Sequence, residues 1–143
     1  MADENNAPEL GSIFEFSQDI ANAEAPPPLP ARSYIGTCTG ALAKTNKNGA
    51  AYGEIKFTIA PDQFPPDFAA VQKDAVDLFY RFVPLTDDTR SRYQLRKFCE
   101  NMRVAAGKRL DLNDFIGKTA TLVVGTSEYQ GEKRGEIKSV ALA

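Results

Sequence analysis

Across Tyr52–Ala60 (YGEIKFTIA) the apolar residues Ile55, Phe57 and Ile59 fall on one parity. Tyr52, Glu54, Lys56 and Thr58 fall on the other. A period of two is what a pleated strand with one dry and one wet face imposes, and a helix does not satisfy it. The segments around it read the same way. Ser33–Leu42 (SYIGTCTGAL) is rich in β-branched and small residues, and Gly36 and Gly40 inside it predict a strong bend or a bulge. Asn48-Gly49 in the run TNKNG predicts a hairpin turn between these two strands. Asp74–Val83 (DAVDLFYRFV) carries Val76, Leu78, Tyr80 and Phe82 on one parity and Asp77, Phe79, Arg81 and Val83 on the other. Bulk on both faces predicts a central strand. The intervening Pro61–Lys73, with three prolines, reads as a loop pinned by Phe64 and Phe68. Lys118–Thr126 and Glu136–Leu142 supply two further strands around a long turn, SEYQGEKRG. Gly-Glu-Ile-Lys occurs at 53–56 and again at 135–138, which we read as two strands built alike and not as a repeat.

One segment departs from this period. After Thr86-Asp87-Asp88, which offers a cap and acids for a first turn, Leu95, Phe98, Cys99 and Met102 recur at helical spacing. Arg92, Arg96 and Arg103 fall on an adjoining face, and Gly107 is the expected stop. A short helical turn over Leu112–Ile116 precedes Gly117. The order strand, strand, strand, helix, strand, strand predicts a mainly β fold. Its economical form is a five-stranded OB-like Greek-key barrel with a helix between strands 3 and 4. The competitor is an open α+β sheet with a covering helix.

Residues 32–143 form this barrel domain, and residues 1–31 form an extended acidic, Pro-rich N-terminal arm. The arm holds six acids and no Lys or Arg, whereas the body holds all 17 Lys and Arg against 13 acids. A net charge of −2 is therefore a cancellation of −6 and +4. Within the arm, Ile13, Phe14, Phe16 and Ile20 recur at roughly helical spacing, with Ser12 and Glu15 placed as a capping box. Pro26-Pro27-Pro28-Leu29-Pro30 stiffens the connection as polyproline II. Phe14, Phe16 and Ile20 are the candidate partner-binding residues, docking on the body or on a neighbouring subunit.

Most catalytic chemistry is excluded by type of residue. The chain has no histidine, which removes imidazole bases, His-based triads and His-ligated zinc. Glu-Ile-Lys resembles the E-x-K half of a nuclease core. That core needs an acid on an adjacent strand, and the nearest upstream partner of Glu136, Asp114, lies in a helical turn. Glu54 and Glu136 therefore read as solvent-face strand residues. Asp111 and Asp114 lack the further oxygens and the glycine of a calcium loop. Cys99 has no activating neighbour, and no P-loop or dinucleotide fingerprint is present. We expect no enzyme, cofactor or metal. The acidic start MADENNAPEL lacks the apolar core of a signal peptide, and no stretch approaches the roughly 20 apolar residues of a membrane span. The expected setting is the reducing cytoplasm, with Cys38 and Cys99 as small buried residues. No Cys spacing fixes a distance, so a disulfide stays open at this point.

What remains is binding. In an OB barrel a nucleic acid lies across strands 2 and 3, between the loops joining strands 1–2 and 4–5. Here those loops carry Lys44 and Lys47, and Lys133 and Arg134, with Tyr129 at the tip of the second. The strand faces between them offer Tyr52, Lys56, Phe79 and Arg81. Rings that stack on bases and cations that follow phosphates hold single strands without reading sequence.

The run LPARSYIGTCTGALAKTNKNGAAYGEIKFTI, then DFIGKTATLVV and SEYQGEKRGEIKSV, resembles a family of small phage-encoded proteins. These come from replication and recombination modules, near single-strand annealing proteins and nucleases. The likeness covers about residues 29–140. Its markers are Tyr34 and Gly36, the Lys44–Gly49 turn, Gly117-Lys118, and Tyr129-Gln130-Gly131 before a basic pair. The resemblance implies an OB-like accessory protein that binds single-stranded DNA, in the host cytoplasm, without catalytic residues. The acidic arm and the Pro61–Lys73 insertion depart from it. The expected partners are single-stranded DNA, replication or recombination proteins reached through the arm, and further copies of the chain in a homo-oligomer. The alternative is a structural or interaction module, a phage particle component or assembly adaptor docking through the arm.

Overall fold

The structure is a computed structural model that describes residues 11–24 and 27–143. The arm's first ten residues, Ala25 and Pro26 lie outside the described residues. In chain order come β1 (Arg32–Thr45), β2 (Ala51–Ile59), α1 (Pro66–Val71), β3 (Val76–Pro84), α2 (Thr89–Asn101), β4 (Thr119–Tyr129) and β5 (Glu132–Ala141). The strands form one open antiparallel sheet in the order β3-β2-β1-β4-β5. The protein is thus mainly β, with α2 between the third and fourth strands as expected.

β1 organises the sheet because it changes partner midway. Arg32–Thr37 pairs with β4 and Thr37–Thr45 pairs with β2, with a register shift between Cys38 and Gly40. The backbone of Cys38 is the pivot. Its N–H donates to Lys118 O and its carbonyl accepts from Gly117 N–H, both at 2.8 Å. The bend predicted from the glycines is there. At Gly36 the reason is also steric, since a Cβ would stand 2.5 Å from Leu122 Cδ1. The TNKNG hairpin forms too: Gly49 takes φ +82°, and Asn46 Oδ1 accepts from the N–H groups of Asn48 and Ala50.

The inward parities make the core. Tyr34 and Cys38 of β1, Ile55, Phe57 and Ile59 of β2, Ala120, Leu122 and Val124 of β4 and Ile137 and Val140 of β5 are buried. Each large side chain buried in full contributes about 1.5–3 kcal/mol. α2 covers one end with Phe98 and Cys99. Phe98 is stacked on Tyr80 at 5.8 Å and edge-on to Phe115 at 5.1 Å. Both cysteines are buried and unbridged, and burial pushes both thiols up. The core also draws in the last arm residues. Leu29 is buried, and the Tyr34 hydroxyl donates to Pro30 O at 2.6 Å.

Several expectations are corrected. The Pro61–Lys73 loop holds a 3-10 turn, Pro61–Gln63, and the helix α1, each with proline in its first turn. A missing N–H costs nothing there and the fixed φ favours a helix. Phe64 and Phe68 do pin it, edge to face at 4.9 Å. β3 lies at a sheet edge and not at the centre; Val76, Leu78 and Tyr80 pack against the core, while Asp77, Phe79 and Arg81 on its other face are exposed. α2 stops at Asn101, well before Gly107, because Arg103 takes φ +57° and the Val104 N–H turns back to Cys99 O. The arm's capping box is absent. Gly11–Ser17 is not helical, and Asp19 instead caps a 3-10 turn over Ile20–Asn22. The long turn SEYQGEKRG is a two-residue turn, Gln130-Gly131, at the tip of a β4–β5 ribbon paired out to Tyr129 and Glu132.

Among the described residues no helix is long and apolar enough to cross a membrane.

Candidate nucleic-acid interface

The outward side chains of β1, β2 and β3 form rows that follow the register. Thr39, Thr58 and Asp77 make one, hydrogen-bonded in turn at 2.8 and 2.6 Å. In the next, Lys56 sits between Gly40 and Phe79, and its stem lies over the glycine. In the third stands Glu54, across from Leu42.

Glu54 corrects the expectation of a wet strand residue: it is only 7% exposed. Its carboxylate accepts from Arg81 Nε at 2.7 Å and lies 3.0 Å from Lys44 Nζ. Burial pushes this carboxyl up. The hydrogen bonds and charges of Arg81 and Lys44 more than offset that and hold it below its ordinary value. Two of the candidate binding cations, Lys44 of the β1–β2 loop and Arg81 of the strand face, are thus joined through one acid.

A register shift between Gly53 and Ile55 sets two residues of β3, Arg81 and Phe82, against Glu54. This bulge reverses the parity of β3 beyond it. Val83 is buried, whereas Phe82 is 68% exposed. Phe79 lies on the outer side at 41% exposure, with the Arg81 guanidinium 5.2 Å over its ring.

The β4–β5 ribbon faces this edge. Its turn is built by left-handed residues, Gln130 at φ +52° and Gly131 at +81°. Consequently Lys133 and Arg134 lie on a strand and not in a loop. The Arg134 guanidinium sits 4.9 Å over the ring of Tyr129, which is 56% exposed, and 3.9 Å from Glu132.

Between β3 and the ribbon lies a cleft of 760 Å³, which Pro27, Pro28, Leu29 and Phe68 also line. It brings together five of the predicted residues, Phe79, Arg81, Tyr129, Lys133 and Arg134. It also holds Asp77, Glu128, Glu132 and Glu136, so its charge is mixed. Lys138, at 3.2 Å, and a Ser127 hydrogen bond hold the Glu136 carboxyl below its ordinary value. Lys44, Lys47, Tyr52 and Lys56 lie outside this cleft. Tyr52 lines a second one of 580 Å³ under α2, which shares Arg81 and Phe82 with the first. Lys47 is exposed in the β1–β2 turn and Lys56 is half-buried on the outer sheet face.

Three residues escaped the sequence pattern. Phe82 was hidden by the bulge, which no period of two foretells. Tyr93 and Lys97, which line the second cleft with the ammonium 5.6 Å over the ring, carried a legible signal: an aromatic four residues before a lysine on a helix. Phe14, Phe16 and Ile20 are exposed, each at 60% or more, and are not brought to this site. Among the described residues no three Cys, Asp or Glu side chains gather so as to hold a metal ion. No protein-family model matches the chain, and no curated protein is similar to it.

Proposed function

We propose that this chain is a non-catalytic single-stranded-DNA-binding protein, of the phage type that its sequence resembles, acting in replication or recombination in the host cytoplasm. The observation that carries the proposal is a pair of arginine–aromatic couples on opposite walls of one cleft. Arg81 lies over Phe79 on β3, and Arg134 lies over Tyr129 on the ribbon. Rings of this kind offer π-faces to bases of any identity, while the Arg134 guanidinium stays within reach of the linking phosphates and Arg81, charge-paired with Glu54, backs the Phe79 ring.

The fold we infer for this role is an OB-like Greek-key barrel. Its support is the strand order, in which β1 is shared by β2 and β4 while β3 and β5 are the two edges. Those edges flank the cleft together, so curling the sheet about the β1 bulge brings them towards closure. The ligand track then runs from the β1–β2 turn with Lys47, across Lys56 and Phe79, to the ribbon.

A fluorescence-anisotropy titration with oligo-dT at low salt tests the function. Saturable binding at micromolar protein is expected, with Phe79→Ala and Tyr129→Ala each weakening it by about 1–3 kcal/mol. If the wild-type protein leaves the anisotropy flat at micromolar concentration, the proposal is wrong.

A further inference from the structure

The body's positive excess is not where the cleft is. Residues 89–118 hold eight Lys and Arg against three acids, a surplus of five, whereas the rest of the body carries nine against ten. This basic segment, α2 and the chain after it, encloses a groove of 270 Å³ lined by Arg92, Leu95, Arg96, Cys99, Ala106, Gly107 and Leu110. The floor is apolar and the rim is arginine. Arg92 and Arg96 are engaged in exposed ion pairs, with Asp87 at 2.6 Å and Glu100 at 3.1 Å, and Arg92 in a long contact to Thr89 Oγ1 at 3.5 Å, all of which hold little energy. Lys108 and Arg109, next to the groove's Leu110, enter no ion pair among the described residues. A volume below the ~300–1,000 Å³ of small-molecule pockets suits the side chains of a peptide.

The chain itself contains a segment of the complementary kind. Gly11–Glu24 has three acids and no cation, and it exposes Ile13, Phe14, Phe16 and Ile20 to solvent along its length. Exposed large apolar side chains in such a row mark a contact surface. We infer that the arm of one copy, through Phe14, Phe16 and Glu15, docks in the α2 groove of a second copy. The aromatic rings enter the apolar floor and the carboxylates meet the Arg92, Arg96, Lys108 and Arg109 rim. The partner is a second copy because no residue of the chain's own arm lines the groove, and the arm's large apolar side chains stay in solvent. Reciprocal exchange of two arms closes a dimer with two identical contacts. Nothing in this contact depends on DNA binding.

Two measurements on full-length protein decide it. The first is the mass by light scattering over a concentration series. The second is the anisotropy of a labelled peptide of residues 11–24 titrated with the Phe14→Ser/Phe16→Ser variant, whose own arm no longer competes. A wild-type mass of two chains is expected, falling to one chain in the Phe14→Ser/Phe16→Ser, Arg92→Glu/Arg96→Glu and Lys108→Glu/Arg109→Glu variants. The peptide is expected to bind, more weakly as salt rises. Adding either charge reversal to the arm variant should weaken it by about tenfold or more, since each reversed pair removes attraction and adds repulsion. The Lys108→Glu/Arg109→Glu variant guards against helix damage, because it leaves α2 intact. A peptide that does not bind overturns the inference. So does peptide binding by a protein that stays monomeric, which would place the arm in its own groove, and so does a dimer that survives loss of Phe14 and Phe16.

Discussion

Glu54 lies between Arg81 and Lys44 at 2.7 and 3.0 Å with 7% of its surface exposed, while both cations remain about half in solvent. Its folded carboxyl titrates below the ordinary 4.5, so near that pH the unfolded chain binds more protons than the folded one. The stability it adds is therefore complete above the unfolded value and is lost as pH falls through the folded one. Urea denaturation between pH 6 and pH 3 should show a smaller loss of stability in Glu54→Gln than in wild type. At pH 7 the same variant should be destabilised by about 1–3 kcal/mol, since two donors lose a charged acceptor. Gly36 poses a purely steric question. A Cβ there would sit 2.5 Å from Leu122 Cδ1, inside a packed core, whereas at Gly40 it would meet Lys56 at an ordinary 3.5 Å. Gly36→Ala should cost about 1–3 kcal/mol in chemical denaturation, and Gly40→Ala should stay within about 1 kcal/mol of wild type.

The β4–β5 ribbon holds Tyr129, Lys133 and Arg134 in place through a turn of two residues, both at positive φ. Glycine is the residue that adopts φ +81° without strain, and a β-branched side chain there is strained by about 1–2 kcal/mol. Gly131→Val should thus lower stability by that amount and speed amide exchange at Ser127–Arg134. It should weaken oligo-dT binding about as much as Tyr129→Ala does, because Tyr129 loses its footing. This element also shows what the sequence could and could not tell. Period two marks β2, because burial of one face acts on every second residue; β-branched and small residues mark β1, and the Asn48-Gly49 pair marks the first hairpin. The second hairpin was misjudged because Gln130 is not a usual left-handed residue, and its turn looked like a loop. Phe82 and Val83 fall on the opposite sides to those their parity predicts, and Glu54, on its expected side, is buried beneath Lys44 and Arg81. The bulge at Arg81-Phe82 depends on pairing with β2, a contact between distant residues that no local pattern contains. The five residues that meet in the cleft are identifiable by type and by the grouping of strands 2 and 3 with the β4–β5 turn, whereas the parting of Lys44, Lys47, Tyr52 and Lys56 from them is not, because it depends on pairing between distant residues.

Over the whole molecule, charge is sorted into an arm at −6, an α2 segment at +5 and a remaining body at −1. A protein with net charge −2 cannot draw DNA in by its overall field, so affinity must come from local contacts. That sets the expected salt response. Lys47, Lys56, Lys133 and Arg134 are the track cations outside the Glu54 cluster, and a single strand loses about 0.7 in log K per log salt for each phosphate neutralised. A slope of about −3 is expected for the wild type. Glu54→Gln releases Lys44 and Arg81 and should steepen it to about −4, with tighter binding at low salt despite the lost stability. Arg92→Glu/Arg96→Glu should leave the slope where it is, because the α2 groove lies on the other charged region. These outcomes separate the two surfaces. A wild-type slope steeper than about −6, made shallower by reversing Arg92 and Arg96, would mean that DNA follows the basic α2 segment instead of the cleft. The cleft arginines would then serve the sheet, and the arm and the nucleic acid would compete for one groove.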